Sequence, residues 1–121
     1  MELTPTSAAG RQQIERYGTT GFRVSGVIFA GPVLVFPDRT VPWEAAVPTL
    51  EGLSLLIAAG GIELILLGLG RRGAPANADL RKTLRARGIG VEAMDTGAAC
   101  RTFNVLMAED RLVAAALLPP V

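Results

Sequence analysis

Length, composition and charge restrict the chain to a few classes of protein. The 121 residues are 50% hydrophobic, with 12 Lys and Arg against 11 Asp and Glu. This length is typical of one domain, and the apolar share excludes an intrinsically disordered chain. A net charge of +1 gives no overall attraction to nucleic acid, so we expect no nucleic-acid partner.

The rare residue types exclude further chemistry. The chain has no histidine, which excludes imidazole catalysis and histidine-ligated metals. Its single cysteine, Cys100, excludes an intramolecular disulfide and a cysteine-based zinc site. We therefore assign no catalytic residue, no metal and no cofactor, and we expect a soluble protein of the reducing cytoplasm.

The amino-terminal part is punctuated by glycine and proline. Residues 1–13 are small and polar, lack the features of a secretory signal, and are expected to form a flexible tail. Residues 14–121 are expected to form a single α/β domain. Between Ile14 and Trp43, short apolar runs alternate with glycines, which predicts antiparallel β-hairpins. Pro42 has no amide donor, so the strand Thr40–Trp43 is expected at a sheet edge.

Beyond Trp43, the pattern predicts helices that alternate with strands. The first helix is expected from its cap Thr49 to Gly60, and the second from its cap Asn77 to Gly88. The third is expected to begin at Asp95 or Thr96. Its apolar face is formed by Ala99, Phe103 and Leu106. The strands are expected at Ile62–Leu67, Ile89–Met94 and Leu112–Leu118, the last covered on both faces. This alternation predicts an α/β domain with helices packed on a sheet and a β-hairpin-rich amino-terminal portion.

One apolar stretch also has the length of a membrane span. Residues 52–70 are almost wholly apolar, and about 20 such residues cross a bilayer. Gly60 and Gly61 interrupt this stretch, and the charge of Glu63 would be costly in lipid. We therefore expect no membrane span.

A glycine-rich segment follows the first of the interior strands. Residues Gly68–Gly73 match the dinucleotide-binding pattern G-x-G-x-x-G, and Glu92 lies near the position of a ribose-binding acid. However, the next helix starts only at Asn77, and the chain is too short for two mononucleotide-binding halves. An ordinary glycine-rich loop between a strand and a helix is the favoured interpretation, and we expect no dinucleotide cofactor.

Two loops are candidates for a shared ligand site. If the interior strands are parallel, Gly68–Gly73 and Asp95–Arg101 leave the same carboxyl edge of the sheet, where α/β proteins bind ligands. Arginine charge and helix-start amides would favour an anion there. The candidate residues of this shallow anion-accepting cleft are Gly68, Gly70, Arg71, Arg72, Asp95, Thr96, Gly97 and Arg101. The alternative is two ordinary helix entries with capping residues.

The cysteine and the basic helix have simpler interpretations. Cys100 lies early in a helix beside Arg101, a position that can favour a reactive thiolate. Because no base is available and free cysteines are often buried, we predict a structural role. The basic run from Arg81 to Arg87 has no interleaved aromatic residues and is interpreted as a solvated helix face.

Three further motifs stand out in the sequence. They are Tyr17-Gly18-x-x-Gly21-Phe22-Arg23-Val24-x-Gly26, Leu67-Gly68-x-Gly70 and the stretch Met94–Leu106. Together they resemble motifs of the family of mitochondrial complex I assembly factor 3, also known as domain-of-unknown-function family 498. The resemblance covers Ile14–Leu118 and implies a three-layer α/β fold with a mixed central sheet. It supplies no catalytic residues, and it implies assembly of a respiratory complex or action through partners. The use of 11 Arg against 1 Lys suggests a bacterial member.

Two functions from different classes remain open at this point. The first is a non-catalytic interaction or assembly module with a protein partner, itself a monomer or weak homo-oligomer. The second is a domain that binds, or acts on, a small molecule or anion at the two loops. A pocket with convergent polar groups favours the second, and a partly apolar surface patch favours the first.

Overall fold

The computed structural model describes residues 11–121, which contain eight strands and three helices. The strands are β1 (Ile14–Gly18), β2 (Gly21–Val24), β3 (Val27–Ala30), β4 (Val33–Val35), β5 (Thr40–Pro42), β6 (Leu64–Leu69), β7 (Gly90–Met94) and β8 (Val113–Leu118). The helices are α1 (Ser54–Ala59), α2 (Ala78–Arg85) and α3 (Thr96–Ala108).

The strands form two sheets. Strands β1, β2 and β3 make an antiparallel three-stranded sheet, which confirms the predicted hairpins. The second sheet has the order β5-β4-β8-β6-β7, with β4 antiparallel to β5 and β8, and β6 parallel to both β7 and β8. Strand β5, which carries Pro42, lies at the edge of this mixed sheet, as the missing amide donor predicts.

The mixed sheet is covered on both faces, which gives three layers. Helix α3 and the three-stranded sheet pack on one face, and α1, α2 and the segment 43–53 pack on the other. Strand β8 shows the alternation directly, since Val113, Ala115 and Leu117 face the first layer. Ala114 and Ala116 face the second. The three-layer α/β fold with a mixed central sheet is therefore confirmed.

The first helix is shorter than the sequence predicts. Helix α1 begins at Ser54, because turns occupy the five residues from the expected cap Thr49. The predicted strand also stops before Trp43, whose indole N–H donates to the carbonyl oxygen of Gly52 at 2.8 Å. This buried hydrogen bond fixes the turns beneath the helix, and hydrophobic spacing alone does not reveal it.

The next strand begins two residues later than expected. Gly60 and Gly61 both have positive φ, at 72° and 76°, and carry the chain away from the end of α1. Strand β6 then starts at Leu64, so Gly68 is a strand residue instead of a loop residue. The apolar stretch 52–70 is thus divided between a short helix and a strand. Within residues 11–121, no helix has the length and apolarity needed to cross a bilayer.

Three residues assigned to the tail make contacts with the domain. Arg11 forms an ion pair with Asp110 at 3.0 Å, and the amide of Gln12 donates to the carbonyl of Pro37. The amide of Gln13 donates to the hydroxyl of Ser25 at 3.0 Å. The rest of the predicted tail, residues 1–10, lies outside the described part of the chain.

Gly68 allows α3 to lie close to the sheet. A Cβ at this position would be 2.7 Å from Leu117 Cδ2, 3.1 Å from Ala99 Cβ and 3.2 Å from Thr96 Cα. Because one of these neighbours is backbone, the helix could not accommodate the methyl group by a side-chain rotation alone. The distance between α3 and β6 is therefore set by a glycine and an alanine.

We expect Gly68→Ala to lower the free energy of unfolding by about 1–3 kcal/mol, the usual cost of overpacking a filled core. The matched control is Gly18→Ala in β1, where a new Cβ would have no atom within 4 Å. That substitution should change stability by less than about 1 kcal/mol in either direction. Urea denaturation measures both values, and equal losses would contradict the close approach of α3.

Candidate functional site

The buried side chain of Thr96 joins three segments at the carboxyl edge of the mixed sheet. Its hydroxyl accepts a hydrogen bond from the amide of Gly70 at 2.9 Å and donates to the carbonyl of Leu118 at 2.5 Å. Its own amide donates to the carbonyl of Gly70 at 2.8 Å. The loop after β6, the start of α3 and the end of β8 are therefore held together by one residue.

The two predicted loops meet at this edge, as parallel strands require. A Cβ on Gly73 would lie 2.7 Å from the backbone nitrogen of Asp95 and 2.8 Å from the carbonyl carbon of Met94. Asp95 caps α3, because its Oδ1 accepts from the amide of Ala98 at 2.9 Å. The protein itself thus uses the amides of Thr96 and Ala98, so the helix start does not offer them to a ligand.

The remaining candidates on α3 face the three-stranded sheet. A Cβ on Gly97 would be 2.7 Å from the hydroxyl oxygen of Tyr17, so the tyrosine covers this glycine. Arg101 donates from Nη1 to the same hydroxyl at 3.4 Å. Gly97 and Arg101 therefore position β1 against the helix and do not border the space at the end of β6.

A crevice of about 650 Å³ opens at this edge, between the loop after β6 and the segment after β8. Of the predicted residues, it brings together Gly70, Arg71 and Arg72. The other residues that line it are Leu69, Gly73, Leu118, Pro119 and Val121. We call this space the carboxyl-edge crevice.

The second wall of the carboxyl-edge crevice was missed by the sequence analysis. The run Leu112–Leu118 is correctly predicted as a strand covered on both faces. Its place beside β6, instead of beyond β7, depends on the path of α3 across the sheet. The only signal in the sequence is the proline pair that follows this strand, and it does not show which loop lies opposite.

A second candidate surface lies on the outward face of the three-stranded sheet. The strand register places Arg16 opposite Arg23, and Arg23 opposite Ile28, in one row across the three strands. All three are exposed, Ile28 to 80%. They border a depression of about 300 Å³ that Gly18 and Gly21 also line. We call this row and its depression the arginine–isoleucine face.

A β-bulge modifies the charge on this face. The register of β1 shifts between Ile14 and Arg16, which leaves Glu15 as the extra residue. The carboxylate of Glu15 accepts from the amide of Gly26 at 2.7 Å and lies 3.3 Å from Nε of Arg23. The bulge therefore brings one negative charge to a surface that carries two positive ones.

Cys100 lies in the core between α3 and the sheets. The residue is fully buried and forms no disulfide. Burial raises the pKa of its thiol to about 12, because a thiolate would lose its hydration there. The neighbouring charge of Arg101 opposes this rise but does not overcome it. The structural role predicted for Cys100 agrees with this environment.

We expect Thr96→Val to lower the free energy of unfolding by about 1–3 kcal/mol, because the amide of Gly70 and the carbonyl of Leu118 lose their partner. Thr96→Ser is the matched control, since it keeps the hydroxyl and removes only a methyl group worth about 0.8 kcal/mol. Chemical denaturation of both variants provides the comparison. A serine variant as unstable as the valine variant would show that the hydroxyl is not what matters.

We expect Cys100→Ala to change the pH dependence of unfolding. The native thiol stays protonated up to its raised pKa of about 12, whereas the thiol of the unfolded chain ionises near its ordinary value of 9.0. The stability that the folded protein gains from keeping this thiol protonated is complete below the ordinary pKa. It is lost between the ordinary and the raised pKa, by up to about 1.4 kcal/mol per pH unit. The stability difference between the parent and Cys100→Ala should therefore be constant near neutral pH and shrink in alkali. A pH-independent difference would refute the buried thiol.

Comparison with known proteins agrees with the fold and identifies the family. An assembly factor 3 of the NADH dehydrogenase (ubiquinone) 1 alpha subcomplex from Danio rerio is 40% identical over 99% of this chain, which spans 71% of that protein. An uncharacterised Rhodobacter capsulatus protein is 38% identical over 92% of the chain and 87% of its own length. A crystal structure of a Bordetella parapertussis protein superimposes with a TM-score of 0.82, at 36% identity, over 93% of this chain and 99% of that one.

The family model described as a protein of unknown function, DUF498/DUF598, matches residues 14–118. This range contains all eleven helices and strands. The matched region also includes the three motifs on which the resemblance rests. The chain therefore belongs to the DUF498/DUF598 family, whose homologues include complex I assembly factor 3.

Proposed function

We propose that this chain is a non-catalytic protein-interaction module that serves the assembly of a respiratory NADH dehydrogenase, the role named for its Danio rerio relative. The observation that carries the proposal is the arginine–isoleucine face. It combines an exposed apolar side chain, a shallow depression and positive charge on one side of a small sheet. Such a combination of apolar surface, shape and charge can bind a protein partner.

The apolar part of the face supports protein binding. Single exposed hydrophobic residues are common, but Ile28 borders a depression that Gly18 and Gly21 also line. A Cβ on Gly21 would fall 2.0 Å from the carbonyl oxygen of Phe29, so no larger residue fits there. A partner that covers the exposed side chain of Ile28 would gain about 1.5–3 kcal/mol.

The edge of β3 offers a second contact. Within the described residues, β3 pairs only with β2, so its other edge has backbone groups that can pair with a strand from a partner. Addition of a strand to a sheet edge supplies main-chain hydrogen bonds, and neighbouring pockets supply specificity. The depression is lined by residues of all three strands, β3 included, and would receive a side chain of the added strand.

The charge of the face indicates an acidic partner. Arg16 and Arg23 are directly opposite across β1 and β2, an arrangement that destabilises a sheet through like-charge repulsion. Glu15 lies against Arg23 and offsets part of this repulsion. A partner segment that carries an acidic residue beside an apolar one would complement Arg23 and Ile28 in this row.

We expect Ile28→Asp to reduce capture of NADH dehydrogenase subunits by the tagged protein at least tenfold in its native organism, a loss of about 1.4 kcal/mol. The double variant Arg16→Glu/Arg23→Glu should act in the same direction and should abolish the salt sensitivity of capture. The matched control is Leu55→Asp on α1, where a leucine is exposed to 58% on the opposite side of the mixed sheet. Chemical cross-linking and quantitative mass spectrometry give the readout.

Two results would contradict the proposal. Equal capture by Ile28→Asp and by the parent protein would show that the arginine–isoleucine face is not the docking surface. Capture that contains no NADH dehydrogenase subunit would refute the assembly role, even if other proteins are retained. Thermal unfolding of each variant checks that the substitutions at exposed positions leave the fold intact.

A further inference from the structure

The carboxyl-edge crevice lies where the order of the parallel strands reverses. From β6 the chain passes through α2 to β7 on one side, and from β7 it returns through α3 to β8 on the other side of β6. The two helices consequently pack on opposite faces of the sheet. The loop after β6 and the segment after β8 form the walls of the crevice at this point, and open α/β sheets bind ligands at the carboxyl edge where the strand order reverses.

The charge of the crevice comes from two adjacent arginines. Arg71 and Arg72 are exposed, and within residues 11–121 neither forms an ion pair. The nearby carboxylate of Asp95 has an oxygen engaged by the cap of α3. Guanidinium groups bind phosphate and carboxylate oxygens through paired hydrogen bonds, and two unpaired groups on one loop favour an anionic ligand.

The backbone at Gly70 leaves room for that ligand. Its φ is +89°, a conformation that favours glycine, and among the described residues other than its two chain neighbours no atom lies within 4 Å of the place a Cβ would take. Thr96 holds the Gly70 loop and the end of β8 through its hydrogen bonds. The two walls are thus fixed relative to each other before any ligand enters.

The size and lining of the carboxyl-edge crevice indicate what the ligand carries besides its anionic group. About 650 Å³ is several times the volume that a bare phosphate needs and lies in the usual range for small-molecule sites. The walls beyond the arginines are apolar, formed by Leu69, Leu118 and Pro119. We propose that the carboxyl-edge crevice binds a small molecule with an oxyanion, phosphate or carboxylate, joined to an apolar body.

The test uses four small probes and the purified chain. Phenyl phosphate and benzoate each combine an oxyanion with an apolar ring, inorganic phosphate supplies only the anion, and benzyl alcohol supplies the ring without charge. Each is titrated into ¹⁵N-labelled protein, and amide shifts are followed. We expect saturable shifts centred on Gly70, Arg71 and Gly73 with at least one ring-bearing anion, and at least tenfold weaker binding of the two single-feature probes.

Two double variants test whether Arg71 and Arg72 bind the anion. Arg71→Ala/Arg72→Ala should weaken binding of the ring-bearing anion at least tenfold. Arg85→Ala/Arg87→Ala is the matched control, since it removes the same charge from two exposed arginines at the end of α2 and beyond it, and it should leave affinity unchanged. Circular dichroism checks that each variant is folded.

The relative affinities of the probes distinguish a phosphate ligand from a carboxylate ligand. They also show which part of the proposal is wrong if binding differs from expectation. Tighter binding of phenyl phosphate than of benzoate assigns a phosphate ester, and the reverse order assigns a carboxylate. Benzyl alcohol as tight as either anion would overturn the role of charge, and inorganic phosphate as tight would overturn the apolar body. Shifts scattered over the surface, or full affinity in the Arg71→Ala/Arg72→Ala variant, would overturn the site itself.

Discussion

The hydroxyl of Thr96 makes the hydrogen bonds on which the carboxyl edge of the mixed sheet depends. It satisfies backbone atoms of two different segments, the amide of Gly70 and the carbonyl of Leu118. The three joined segments come from distant parts of the sequence and meet only in the folded chain. In a buried setting, such a hydrogen-bonded group specifies one arrangement, because every alternative leaves a polar atom unpaired. The relative position of the crevice walls is a consequence of this single side chain.

The longest family motif, Met94–Leu106, is explained by packing around α3. Ala99 faces the glycine of β6, and Gly97 lies under the hydroxyl of Tyr17. Asn104 accepts from the amide of Ile14 at 2.9 Å and donates to its carbonyl at 2.8 Å, and so attaches β1 to the helix. The motif therefore describes how one helix fits between two sheets. Of the exposed arginines on the two candidate surfaces, Arg23 belongs to the first motif, whereas Arg71 and Arg72 lie outside all three motifs.

Features set by neighbouring residues could be predicted from the sequence, and features set by distant contacts could not. Asn77 and Asp95 cap their helices as expected, because a cap involves only the next three residues. The late start of α1 depends instead on the bond from Trp43 to Gly52. Of the residues predicted for the cleft, Arg71 and Arg72 line the carboxyl-edge crevice, because the glycines that follow the apolar run place them in a loop. Strand β6 itself ends at Leu69, two residues beyond the predicted end. The opposite wall requires the strand order, which no local pattern encodes.

The position of β8 also has a consequence for how the chain folds during synthesis. This strand follows all others in the sequence, yet it lies between β4 and β6 in the mixed sheet. Until it emerges from the ribosome, the β4–β5 hairpin and the β6–β7 pair have no common neighbour, and each exposes a free apolar edge. Such edges promote association between chains, and long-range pairings close slowly. The interval between completion of α3 and insertion of β8 is therefore the stage at which the edges of β4 and β6 are both exposed to association.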